Sequence, residues 1–235
     1  MYTNCPMPIV LLIVFMFVAF GLTTLFRRWI DIPTLLAVAI GCAVNANIFN
    51  PINYPIVLGY FTFSFETVLY TLFMYTIVIR ILDYGYKDAK RMTFTSIAAI
   101  VISAFIELLA MLANKTEPAA AFKAFSIYLF SSVGTIFGVW VMVVITIHCR
   151  KKNITPYLTI PFAIIASCLV HAVFYYGGIY LIEWKRGIYS LSLAVSALVG
   201  KGACIVLAVL CYFINQKYWK PLSLVSKEKE GNIEQ

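Results

Sequence analysis

Four side chains that can carry or exchange a proton lie inside long apolar runs of this chain: Glu66, Glu107, His171 and Lys201. A charge at the centre of a membrane-inserted helix costs at least about 2.5–3.5 kcal/mol, so each calls for a partner, a shifted proton equilibrium or a task. Lys201 is the most demanding. It sits twelve residues into Tyr189–Phe213, YSLSLAVSALVGKGACIVLAVLCYF, between Gly200 and Gly202. That places its ammonium ~18 Å into a ~30 Å hydrocarbon layer. Counted from the outer end of each run, Glu66 lies ~14 Å deep, Glu107 ~10 Å and His171 ~16 Å. If the helix faces that carry them converge, the four line one cavity open to the outside.

Each of these residues also has a plainer reading. Glu107 reads equally as a structural ion partner of Lys201. His171, followed closely by Phe174, Tyr175 and Tyr176, reads as a packed and hydrogen-bonded ring. Glu66 is near enough to the outer interface to extend its carboxylate toward water. Asn45 and Asn47 are two residues apart and do not share a helix face, so at most one of them faces a cavity. In the reading that gives these side chains a task, Asn47, Glu66, Glu107, His171 and Lys201 bind a substrate. No catalytic residue and no metal ligand are expected.

The elements that must position these residues follow from composition. The chain has 235 residues, of which 62% are apolar and only 12% charged, a balance that no soluble domain of this size carries. An integral membrane protein is expected, with the lipid bilayer as its solvent. Seven apolar runs, at 8–26, 33–49, 57–82, 92–114, 124–148, 157–182 and 189–213, come close to the ~20 residues that a crossing needs. The fold class is therefore an all-α bundle of seven transmembrane helices spanning residues 1–216, followed by a polar cytoplasmic tail, 217–235. The first run lacks a basic leader and a small-residue cleavage site, and reads as a retained helix rather than a signal peptide.

The net charge of +8 does not point to nucleic acid, because the basic residues lie in short loops between the runs. Thirteen of them, from Arg27 and Arg28 through Arg150, Lys151 and Lys152 to Lys229, alternate with four on the other side, Lys115, Lys123, Lys185 and Arg186. That bias puts the N-terminus outside and the C-terminus in the cytoplasm of a multi-pass cell-membrane protein. The six cysteines have no CxxC spacing and read as small buried residues, not as a metal or disulfide framework. Gly134 and Gly138 form a GxxxG spacing, which most often only allows close helix approach. Pro161 lies near the start of the sixth run, and Arg80 reads as an interface anchor.

The block Ala46-Asn47-Ile48 in a short second run, followed by Asp83-Tyr84-Gly85 and the basic loop Lys87-Asp88-Ala89-Lys90-Arg91, resembles the VUT family of queuosine-precursor (vitamin uptake-like) transporters. The resemblance covers most of the chain in layout and extends to the lysine in the last helix, where Lys201 stands. It implies a transporter for 7-deazaguanine compounds. The chain departs from the family's pattern at three polar pairs, where it has Ile77-Val78, Met142-Val143 and His171-Ala172.

Three classes of function fit these features. The first is a transporter, not an enzyme, that binds a small and planar solute in a central polar pocket without a cofactor. It would work alone, as a homo-oligomer or with a membrane partner. The second is a retinal-binding seven-helix protein with Lys201 as its Schiff base. The third is a non-transporting subunit that recruits a partner through the Gly134/Gly138 face or the basic loops.

Overall fold

The computed structural model describes residues 7–26, 41, 56–58, 61–63, 65–113, 118–182 and 187–218. In chain order these form α1 (Met7–Phe26), a two-stranded hairpin of β1 (Ile56–Leu58) and β2 (Phe61–Phe63), α2 (Phe65–Tyr84), α3 (Tyr86–Ala113), α4 (Pro118–Lys151), α5 (Pro156–Ile182) and α6 (Gly187–Tyr218). Among the described residues, four stretches are long and apolar enough to cross a bilayer: Thr67–Tyr84, Phe125–Lys151, Pro156–Ile182 and Ala194–Gln216. The chain is a helical membrane protein.

Five of the runs expected from the sequence fall on α1, α3, α4, α5 and α6. Of the run at 33–49 only Gly41 is described, so Asn45 and Asn47 lie outside the described residues, as does the tail beyond Tyr218. The run at 57–82 needs correction. Its first described residues, Val57, Leu58 and Phe61–Phe63, are not helix but belong to an antiparallel hairpin, with Ile56 paired to Phe63, Val57 to Thr62 and Leu58 to Phe61. Valine, threonine and phenylalanine favour a pleated backbone, and only two residues, beginning with Gly59, separate the paired Leu58 and Phe61. Apolar content alone does not distinguish such a hairpin from the start of a helix. Glu66 therefore stands in the first turn of α2 and not deep within a span.

The bundle is built around α2. Of its spanning residues 72% are buried, against 33–44% in α4, α5 and α6. It packs on α1, α3, α4, α5 and α6, and β2 packs on α6 beside it. Tyr75 joins α2 to α1, its hydroxyl sharing a 2.7 Å hydrogen bond with Thr24 while its ring lies 5.5 Å from that of Phe20. Other buried hydroxyls are satisfied within their own helices: Thr71, Thr76, Ser96, Ser103 and Thr146 each donate to the carbonyl four residues earlier. In lipid this matters, because no water is present to take an unmet bond.

α5 is patterned inside out relative to a soluble helix. Leu158, Phe162, Leu169, Val173 and Leu181 point outward, whereas Thr159, Ser167, Cys168, His171 and Tyr175 are buried. Its partner α4 approaches closely because small residues line the seam. A Cβ on Gly134 would come within 2.8 Å of the Phe174 side chain, and one on Gly138 within 2.8 Å of the Ser167 hydroxyl. A Cβ on Gly178 would overlap the Phe130 ring. The GxxxG spacing has the packing role expected of it.

At the other end of the bundle, the turn between α2 and α3 is locked to α4. Gly85 adopts φ 87°, a left-handed conformation that costs glycine nothing, and its N–H donates to the Ile81 carbonyl. Arg150 donates to the same carbonyl at 2.8 Å, capping α2 from the last turn of α4. Asp83-Tyr84-Gly85 thus has a local structural role. Arg80 lies 3.6 Å from the Tyr84 ring centroid, as suits a side chain near a helix end.

Candidate functional site

Lys201 and His171, the two site residues of the sequence reading whose side chains are described, come together in the structure. Both are buried: Lys201 is 5% exposed on α6 and His171 2% on α5. Between them stands Tyr70 of α2. The Lys201 Nζ lies 4.3 Å from the centroid of the Tyr70 ring, a cation held against a π face. The His171 ring packs 4.7 Å from the same phenol, with an angle of 41° between the planes. Tyr175, one turn along α5, stacks on His171 at 5.6 Å, and Tyr176 meets Tyr175 edge-on at 4.9 Å. A column of rings therefore runs from Lys201 through Tyr70 and His171 to the far part of α5.

Four helices converge here, each for a reason visible in its sequence. α2 brings Tyr70 from its buried face, where Thr67, Thr71 and Met74 also point inward. The glycines of α4 let α5 approach until Ser131 reaches His171, with Oγ 3.3 Å from Nε2. α6 supplies Lys201 and, nearly one turn later, the buried Cys204. His171 Nδ1 is also buried and has no hydrogen-bond partner among the described residues. The imidazole is thus satisfied at one nitrogen only.

The electrostatics follow from this stacking. A positive charge on Lys201 and one on His171 would both lie against one phenol, at most about 9 Å apart. At an effective dielectric near 20 their repulsion would be on the order of 2 kcal/mol. Asp83 is the only acidic residue whose side chain is described, and it is exposed at the far end of α2. Among the described side chains, Lys201 is therefore steadied by an aromatic face and not by a carboxylate.

The remaining site residues divide as follows. Glu66 is placed by its backbone alone, in the first turn of α2, four residues before Tyr70. Glu107 is also placed by its backbone, on α3, which packs against α4 and α2. α2 itself packs on α6, so the element beside Lys201 is the one carrying Tyr70 and Glu66. Asn47 lies outside the described residues.

Sequence reasoning missed Tyr70, Ser131 and Tyr175. Two of these had a readable signal: Tyr175 follows His171 by four residues, and Tyr70 follows Glu66 by four, the spacing of helical neighbours. Ser131 had a weaker one, its place one turn ahead of Gly134 and Thr135 on the seam of α4. Compared with protein-family models, with curated proteins and with solved structures, the chain matches none.

Proposed function

We propose that this chain is a multi-pass carrier of the cell membrane that moves a small, planar solute through a site formed by Lys201, Tyr70 and His171. In this reading seven helices span the bilayer, with the N-terminus outside and the C-terminus in the cytoplasm. One observation carries the proposal: a lysine midway along a membrane helix is buried against an aromatic column, with a half-satisfied histidine beside it. A charge retained at that depth marks a substrate or ion pathway more often than a packing element. Stacked rings and free hydrogen-bonding capacity suit a flat, heteroatom-rich solute.

The resemblance to the queuosine-precursor transporters supplies the first solute to try, a 7-deazaguanine base. Where the family carries two of its polar pairs, this chain buries Ile77, Val78, Met142 and Val143 in its apolar core. The polar side chains of the proposed site come instead from Tyr70, Ser131 and His171. Purified protein in liposomes is expected to take up labelled 7-deazaguanine base faster than protein-free liposomes, with unlabelled base competing. Equal uptake by the two preparations would count against the carrier reading.

A second reading draws on the same burial. A lysine in a dry, ring-lined setting also suits a Schiff base with an aldehyde such as retinal. Incubation with retinal would then yield a visible absorption band that Lys201→Ala abolishes.

A further inference from the structure

We infer that His171 is the proton-carrying group of this site, so that solute and proton cross together. The inference rests on the carrier reading and adds the coupling ion to it. Its first support is the hydrogen-bonding state of the ring. Nε2 is engaged by Ser131 of α4 at 3.3 Å, whereas Nδ1 is buried and has no partner among the described residues. In the tautomer whose Nε2–H donates to Ser131 Oγ, the open Nδ1 is the position at which a proton is gained or lost. The described groups around it are Tyr70 from α2, Lys201 from α6 on the same phenol, Ser131 from α4, and Tyr175 on α5 itself.

The second support is the charge geometry. Tyr70 carries the Lys201 ammonium against its ring and is also packed by His171. A site arranged in this way tolerates one positive charge more readily than two. A proton added at Nδ1 is therefore disfavoured until a solute supplies a hydrogen-bond acceptor or a negative group nearby. Each then favours the other's binding by the same factor, which is the requirement for coupling. The proton balance is simple. An N–H bond forms at Nδ1 as an O–H bond of a hydronium ion on the entry side breaks, and the reverse occurs on the exit side. Because His171 is 2% exposed, that exchange needs the site open to one side or the other.

The test uses full-length protein in liposomes that contain a pH-sensitive dye, with labelled 7-deazaguanine base as the probe. A one-unit gradient, acid outside, coupled one proton to one solute supports about tenfold accumulation. Wild-type protein is expected to approach that accumulation, and the lumen should acidify when base is added. His171→Gln should accumulate no base above equilibrium and move no protons. A melting curve in detergent reports whether the variant is folded, and the wild-type dye signal requires no variant. Wild-type uptake that ignores the gradient and leaves the lumen pH unchanged overturns the inference while sparing the carrier. Gradient-driven accumulation by His171→Gln overturns it as well. Failure of the wild type to take up base at all overturns both readings.

Discussion

The ammonium of Lys201 keeps clear of hydrocarbon by lying on the Tyr70 ring, so that ring and that charge depend on each other. Tyr70→Phe retains the π face and should leave thermal stability in detergent nearly unchanged. Tyr70→Leu removes it and should cost roughly 0.5–2 kcal/mol, the range of a cation–π contact, which a melting curve would register. Equal melting temperatures for the Leu and Phe variants would contradict a supporting role for the ring. At this scale the sequence was partly legible. Lys201 and His171 stand out because a basic or titratable group inside an apolar run is rare and costly. Tyr70 does not stand out, since tyrosine is unremarkable in a membrane helix and only the crossing of α2 with α6 brings it beneath the lysine. Pairing Lys201 with Glu107 drew on similar depth alone. Depth says nothing of which helices are neighbours.

Between elements, two junctions hold the site in place, and both should fail in measurable ways. The α4–α5 seam depends on glycines whose Cβ positions are occupied by the partner helix. Gly138→Val would push against Ser167 and should destabilise the protein by about 1–3 kcal/mol, as overpacking does, while also displacing Ser131 from His171. A Gly138→Val protein with wild-type melting would contradict close packing at that seam. Gly85→Ala would force a left-handed φ on a residue with a side chain, and its Cβ would sit 2.6 Å from Arg150 Nη1. A loss of about 1–2 kcal/mol is expected from the backbone alone. Arg150→Ala, which removes the bond to the Ile81 carbonyl, should weaken the same junction by a smaller amount. The helices themselves were legible because apolar runs of bilayer length are a strong signal. The hairpin of β1 and β2 was not, because six strand residues inside an apolar run match a helix in hydrophobicity and differ only in backbone preference.

For the whole molecule, the alternation of basic loops predicts an outside N-terminus and a cytoplasmic C-terminus. A membrane-impermeant thiol reagent should label Cys5 from outside intact cells, while a C-terminal tag should be cleavable only after the membrane is opened. Labelling of the two ends from the same side would require an even number of spans. The architecture then frames the function, because a buried cation among stacked rings, held by helices that converge on α2, describes a solute site more naturally than a lipid-facing scaffold. The most direct test of that claim is paired uptake of labelled 7-deazaguanine base by wild-type and Lys201→Ala protein, reconstituted at equal amounts and matched for thermal stability. Uptake by the wild type that falls to the protein-free level in Lys201→Ala is the expected result. Equal uptake by the two proteins, or none by either, would contradict the account.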